Sequence, residues 1–378
     1  MSSLINRSRK SELREKLLAN KLLLLRGPRG SGKRTLVREV LQELGKGTVE
    51  VDLSTRKLRK KFKALSTEEK EALFASGEFI LLNETQYLED LQELIEQVLS
   101  GKWKGTFVLS CSFDPVLDEV LKEVLVLQGL EIYIDTISFY ELTSYLSLPE
   151  VDKNMEQRLI FGNYPKVVAE GSNGEEVIEL LNEVLESQFG VNTRVNKQDK
   201  LMRALAVISH HVGEPVSYNE IASKSGLDNE TIERYVDLLV ENGILIRIPT
   251  LYSGHRYELK KTHVIFFSDN GIRNAVIRNF NPIEFRLDLD QLWKNWLISE
   301  RIKWNRMNGR KANYFFWRTH TKQMIDFIEV NETGKFAYKT TWDKKKKVKF
   351  PAMFGELYPD YSQHTLNKST YWTFLSKK

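Results

Sequence analysis

Leu22-Leu23-Leu24-Leu25-Arg26-Gly27-Pro28-Arg29-Gly30-Ser31-Gly32-Lys33-Arg34-Thr35 runs from an apolar segment through a glycine-rich turn into a helical pattern. Strand, turn and helix in that order, with G-x-x-x-x-G-K spacing, predict a loop that wraps phosphate oxygens. Its glycines let backbone N–H groups face inward, the helix start adds a positive dipole end, and Lys33 reaches the β and γ phosphates. The candidate nucleotide contacts are Gly27, Pro28, Arg29, Gly30, Ser31, Gly32, Lys33, Arg34 and Thr35.

Two positions around this loop depart from the fingerprint. Arg34 stands where a Ser or Thr hydroxyl would ligate Mg²⁺, and a guanidinium has no lone pair for a metal. Thr35 lies one residue on, about 100° round the helix, and does not replace that hydroxyl. A guanidinium can instead neutralise phosphates directly. Phe79-Ile80-Leu81-Leu82-Asn83-Glu84 has the form of an apolar strand ending in the acidic pair of a nucleotide hydrolase. Asn83 is a degenerate version of the metal-holding Asp, while Glu84 is the candidate catalytic carboxylate that polarises water. The expected ligand is ATP or ADP, with no metal ligands assigned and Mg²⁺-assisted hydrolysis weak or absent.

Apolar runs at Lys21 to Arg26, Thr48 to Leu53, Glu78 to Asn83, Thr106 to Ser110 and Glu131 to Asp135 alternate with helical patterns such as Leu36 to Leu44 and Asp90 to Leu99. That alternation predicts an α/β fold with a parallel sheet across residues 1–146. Residues 147–200 read as a helical bridge, 201–280 as a winged-helix segment and 281–378 as a second α/β domain. With 378 residues the chain has room for two or three cores. It is 41% hydrophobic and 28% charged, an ordinary globular composition. Its apolar runs fall far short of the roughly 20 residues of a membrane span. Met1 to Lys16 lacks the apolar core of a secretory signal, and a single cysteine, Cys111, forms no internal disulfide. The expected location is the cytoplasm. Residues 281–378 hold 19 Lys and Arg against 10 Asp and Glu, which is +9 of a net +5 and leaves −4 for the rest. Such a basic domain on an acidic body suggests a partner for that domain.

Beyond the loop, Asn83-Glu84-Thr85-Gln86-Tyr87-Leu88, Ile137-Ser138-Phe139-Tyr140-Glu141-Leu142, Gly162-Asn163-Tyr164-Pro165, Phe267-Ser268-Asp269-Asn270-Gly271, Leu292-Trp293-Lys294-Asn295, Phe316-Trp317-Arg318-Thr319 and Ile325-Asp326-Phe327 follow in order. With Gly27-Pro28-Arg29 these blocks resemble bacterial and archaeal predicted ATPases in which an AAA-type domain precedes a C-terminal domain of unknown function. The resemblance implies an ATP-binding domain, a winged helix and a tail similar to PD-(D/E)xK nucleases. It also implies Thr at position 34, Asp at 83 and a phosphate-sensing Arg at 130, where this chain has Arg34, Asn83 and Leu130. In the tail it implies Glu at 294 and 324 and an E-x-K pair at 339–341, where Lys294, Met324 and Lys339-Thr340-Thr341 stand. Asp326 remains as the nuclease-like remnant. One carboxylate is a poor cage for a catalytic cation, so Asp326 reads as structural and nuclease activity as absent.

The second helix of the winged-helix segment carries Asn229, Glu230, Glu233, Arg234 and Asp237. Its shape suits DNA and its acidic balance opposes it, leaving DNA contact and domain docking both open. Six of seven tryptophans fall in residues 281–378 with the Lys344 to Lys347 run, a pattern compatible with gripping nucleic acid. Most of those tryptophans read better as core. The leading expectation is an AAA-like ATP-binding protein with impaired hydrolysis, serving as a nucleotide-sensing or scaffold component. Its expected partners are a nucleotide, a nucleic acid at the basic domain or winged helix, and a protein or a second copy, with no membrane. Two alternatives stay open: an active ATPase that remodels protein or nucleic acid, and a nucleotide-independent DNA- or RNA-binding module.

Overall fold

The computed structural model describes residues 5–170, 173–189, 195–252, 254, 258, 262–346 and 348–376. Two compact units are present, Asn6–Thr136 and Ile137–Lys378. The N-terminal unit runs α1 (Lys10–Ala19), β1 (Leu22–Arg26), α2 (Lys33–Leu44), β2 (Thr48–Asp52), α3 (Arg56–Lys63), α4 (Thr67–Ala75), β3 (Phe79–Asn83), α5 (Leu91–Leu99), β4 (Thr106–Cys111), α6 (Glu119–Leu127) and β5 (Glu131–Tyr133). Its five strands form a parallel sheet in the order β2-β3-β4-β1-β5. Alternate residues of each strand enter opposite cores. Leu22, Leu24, Ile80, Leu82, Phe107 and Leu109 join one cluster, while Leu23, Leu25, Leu81 and Val108 meet Leu36, Val37, Val40 and Leu41 of α2 in the other. Burial on both faces is why these strands are continuous apolar runs and not alternating ones.

Most boundaries in this unit fall within one residue of the sequence reading, and two differ by more. Helix α2 begins at Lys33 and not at Leu36, because Leu36 N–H already bonds the Gly32 carbonyl at 2.9 Å. Strand β5 stops at Tyr133, although Ile134 N–H still donates to the Arg26 carbonyl at 2.7 Å. Parallel register places Asp52 beside Asn83 and Asn83 beside Ser110. The carboxyl ends of these strands therefore come together beside the loop after β1, the place where open α/β sheets bind ligands.

The second unit opens with helices α7 (Phe139–Tyr145), α8 (Leu148–Phe161), α9 (Pro165–Glu170), α10 (Gly174–Phe189) and α11 (Val195–His210). Strand β6 (Pro215–Val216), helices α12 (Tyr218–Ser225) and α13 (Asn229–Glu241), and strands β7 (Leu245–Pro249) and β8 (His263–Phe267) follow, with an antiparallel sheet ordered β6-β8-β7. Helices α14 (Asn270–Val276) and α15 (Leu289–Met307) lead into β9 (Ala312–Arg318), β10 (Met324–Asn331), β11 (Gly334–Thr340), α16 (Ala352–Leu357), β12 (Ser362–Leu366) and α17 (Tyr371–Ser376). These last strands pair as β12-β11-β10-β9, with only the β11 and β12 pair parallel. Trp293, Trp296, Trp304 and Trp317 are buried and Trp342 and Trp372 half-buried, so most of the tryptophans serve packing. Lys344, Lys345 and Lys346 are exposed, and Lys347 lies outside the described residues.

A knot of buried polar groups ties this unit together. Asp269 caps α14 through Gly271 N–H at 2.8 Å and accepts Asn163 N–H at 2.7 Å. Glu300 accepts from Phe139 N–H at 2.6 Å, Asn163 Nδ2 at 3.1 Å and Lys303 Nζ at 2.8 Å. Burial pushes both carboxyls up. Gly162 has φ +77°, and a Cβ there would sit 1.8 Å from Asp269 Oδ1. Only glycine allows that approach. Asn295, fully buried, accepts Phe267 N–H at 2.7 Å and donates to the Phe267 carbonyl at 2.9 Å and to Asn270 Oδ1 at 2.7 Å. Asn295→Ala strips partners from two buried backbone groups and is expected to cost roughly 3 kcal/mol, read as a lower denaturation midpoint. A loss under about 1 kcal/mol would contradict this role.

Candidate nucleotide-binding site

The loop between β1 and α2 is held in an open curve by its glycines. Gly27 has φ +146°, and a Cβ on it would lie 2.1 Å from the Ile134 carbonyl oxygen. Gly30 and Gly32 also sit at positive φ, 80° and 89°. Arg7 fixes the far side, donating to the Ser31 carbonyl at 2.8 Å and to the Asp135 carbonyl at 2.6 Å. Ser31 is fully buried, and its Oγ has no hydrogen-bond partner among the described residues. An unpartnered hydroxyl in a curve of backbone N–H groups fits a phosphate oxygen. Arg29 is half-buried, and Gly30 and Thr35 are exposed.

Lys33 is 5% exposed and donates to the carbonyls of Gly27 at 2.7 Å and Pro28 at 3.0 Å, with Ser112 Oγ at 3.4 Å. Ser112 Oγ in turn donates to Glu84 at 2.7 Å. The second oxygen of Glu84 accepts from Gln86 Nε2 at 2.8 Å. Glu84 has φ +60°, a left-handed conformation uncommon outside glycine and one of the strained states that cluster at functional sites. Lysine and candidate catalytic carboxylate are thus joined through one serine. Beneath them the Cys111 thiol is buried, which pushes its pKa up to about 12 and makes it a poor nucleophile.

Arg34 departs from the expectation that it serves phosphates directly. Its guanidinium turns to β2, pairing through Nε with Glu50 and through Nη1 with Asp52 at 3.0 Å. Asn83 Nδ2 donates to the same Glu50 oxygen at 2.8 Å. Two fixed carboxylates outcompete a flexible contact to the loop, because Arg matches carboxylates in a rigid fork. The residues standing at both metal-supporting positions therefore converge on Glu50. Arg34 brings a cation where a ligating hydroxyl would stand, and Asn83 brings a neutral amide whose buried Oδ1 has no hydrogen-bond partner among the described residues. No group of three or more His, Cys, Asp or Glu side chains suited to a metal occurs among the described residues. Leu130 lies in the core at 3% exposure.

In the second unit Asp326 Oδ1 is 2.9 Å from Lys294 Nζ, and Oδ2 accepts Thr340 N–H at 2.8 Å. Both of its oxygens are thus engaged. Lys339 Nζ donates to the Lys349 carbonyl at 3.3 Å.

Glu50, Asp52, Ser112 and Arg7 escaped the sequence reading. Acids on β2 facing a basic α2 were the available signal for Glu50 and Asp52, but the pairing requires the sheet register. Ser112 and Arg7 act from remote segments and leave no local signature.

Residues 19–143 match an AAA domain family, and residues 152–282 match a domain of unknown function, DUF8612. The N-terminal unit is an AAA-type P-loop ATPase-like domain, which implies nucleotide binding. No curated protein matches the sequence. Among solved structures, the Walker-type ATPase of Pyrococcus abyssi is similar at 15% identity, over 72% of this chain and 96% of that one, with a TM-score of 0.47. The RuvB Holliday junction branch migration motor of Thermotoga maritima is similar at 18% identity, over 66% and 93%, with a TM-score of 0.36. The Pif1 helicase of Candida albicans is similar at 12% identity, over 67% and 59%, with a TM-score of 0.27. Likeness at these levels assigns no role to any residue here. No helix among the described residues is long and apolar enough to cross a membrane.

Burial lowers the pKa of Lys33 to about 8. A phosphate beside it favours the charged form, so nucleotide affinity is expected to fall as pH rises through 8, with proton uptake on binding at pH 8 to 9. Without nucleotide the sign reverses: folding favours the neutral amine, so this group's contribution to stability grows as pH rises from about 8 to its ordinary 10.5, is kept above that, and is lost as pH falls through 8. Calorimetry in buffers of different ionisation enthalpy measures the uptake. Affinity unchanged up to pH 10 would contradict the shift.

Proposed function

We propose that this chain is an AAA-type ATP-binding protein in which nucleotide occupancy, more than turnover, is the working signal. The supporting observation is the Arg34, Glu50, Asp52 and Asn83 network. A phosphate loop with its lysine intact gives anion affinity, and a guanidinium held between carboxylates removes the means of placing a cation between β and γ oxygens. Hydrolysis then lacks the charge neutralisation that such metals supply. Glu84 remains positioned by Ser112 and Gln86 to order a water, so slow hydrolysis is compatible with this reading while metal-driven cycling is not.

In the second unit we infer that metal-dependent phosphodiester cleavage is absent, because the Lys294 ammonium holds the oxygen of Asp326 that a cation would need. The α12 and α13 pair with β7 and β8 has the order of a winged helix, and α13 carries Glu230, Glu233 and Asp237 on its length. That charge supports a docking role over a groove-reading one.

Thermal denaturation with ATP tests the main reading. A ligand at about 100 times its Kd stabilises the folded form by about 2.7 kcal/mol. The rise in Tm should be equal in Mg²⁺ and in EDTA and vanish in Lys33→Ala. A rise that requires Mg²⁺, with steady phosphate release abolished in Glu84→Gln, would establish the active ATPase instead. Arg34→Thr combined with Asn83→Asp should make binding Mg²⁺-sensitive and raise phosphate release at least tenfold, about 1.4 kcal/mol in barrier. Neither single substitution should do so, because the two positions would serve one cation.

A further inference from the structure

Helix α3 reads Arg56-Lys57-Leu58-Arg59-Lys60-Lys61-Phe62-Lys63, six bases without an acid. At about 100° per residue the basic positions cover a continuous arc and leave Leu58 and Phe62 on the remaining side. Phe62 is 5% exposed and packs into the core, which fixes the rotation of the helix and turns the basic arc outward. Two of the bases have local work. Arg59 donates to the carbonyls of Leu53 and Ser54, both at 2.9 Å, and lies 4.4 Å from the Tyr87 ring, while Lys63 pairs with Glu89. Arg56, Lys57, Lys60 and Lys61 are exposed and form no ion pair among the described residues.

The nearest acids in sequence do not neutralise them: before α3, Asp52 pairs with Arg34 and accepts Ser54 N–H. Glu69 closes a capping box on Ser66, Glu68 accepts from the Ser66 hydroxyl at 2.7 Å, and no ion pair joins α3 to α4 among the described residues. Arg56 with Lys60 and Lys57 with Lys61 are like-charge pairs one turn apart, which destabilise a helix in isolation. A polyanion lying along the arc relieves that repulsion. Of the polyanions, a membrane surface wants an apolar face beside the charge, and here only Leu58, at 38% exposure, is available. We propose that α3 is a binding surface for the phosphate backbone of a nucleic acid, contacted without base readout by Arg56, Lys57, Lys60 and Lys61. This differs from the expectation that basic contact belongs to residues 281–378, and it does not depend on the nucleotide reading.

The test uses the full chain and fluorescein-labelled DNA, one duplex and one single strand, with anisotropy followed across salt concentration. Neutralising four contacts should lower the slope of log affinity against log salt by about 3.6 for the duplex or about 2.8 for the single strand. R56Q, K57Q, K60Q and K61Q combined should weaken binding at least tenfold at low salt while keeping the cooperative unfolding transition and Tm of the natural chain without nucleotide, which report an intact fold. K344Q, K345Q and K346Q combined should leave binding unchanged. The proposal is overturned if the natural chain binds neither DNA, if the α3 variant binds as tightly as the natural chain, if the Lys344 to Lys346 variant loses as much, or if anionic vesicles are bound and DNA is not. Loss of the ATP response alone would sink the nucleotide reading and leave this one standing.

Discussion

Helix α2 begins with two adjacent cations, Lys33 and Arg34, and no acid in its first turn. The start of a helix already carries the positive end of the dipole, so charge of the same sign there is unfavourable unless something nearby balances it. Much of the surrounding architecture answers that constraint. The Lys33 ammonium is drawn under the loop, where two carbonyls, Ser112 and the nearby charge of Glu84 receive it. Arg34 is drawn the other way, toward Glu50 and Asp52 at the end of the edge strand. The two cations thus answer to different partners: Lys33 sits where an incoming anion competes for it, and Arg34 is already satisfied by the protein.

The same chemical substitution recurs in the second unit, where Lys294 sits on Asp326. In each case a basic side chain is paired with partly buried carboxylates. An internal cation is covalently attached, needs no bound water and cannot leave, which favours a fixed structure over a site that fills and empties. The blocks that carried the family resemblance through residues 137–295 have a different purpose. Gly162, Asn163, Asp269, Asn270 and Asn295 belong to the buried polar knot, in which the side chains of Asp269, Asn270 and Asn295 satisfy backbone groups that strand and helix ends would otherwise leave bare. Their chemistry is architectural.

The N-terminal sheet was legible because doubly buried parallel strands must be apolar throughout, and Leu22 to Leu25 or Phe79 to Leu82 admit few other readings. The loop was legible because its glycines, lysine and helix start are contiguous. Orientation of charged side chains was not. Nothing local to Arg34 says whether it faces phosphate or β2; that depends on β2 lying next to β3, so that Glu50 reaches both Arg34 and Asn83. The basic helix α3 was missed for another reason. Charge totalled over a quarter of the chain drew attention to residues 281–378, while six bases in eight residues were diluted by the acids of α4.

Aromatic distribution gives this chain an unplanned experimental convenience. Trp103 is the only tryptophan of the N-terminal unit, packed edge-on against Phe74, and the other six lie in the second. Ultraviolet emission therefore reports mainly on packing in the second unit. Cys111, alone of its kind and sealed beneath the phosphate loop, answers for the first unit, since a thiol reagent reaches it only when that sheet opens. Light and alkylation together can follow the melting of each half separately, with no label introduced.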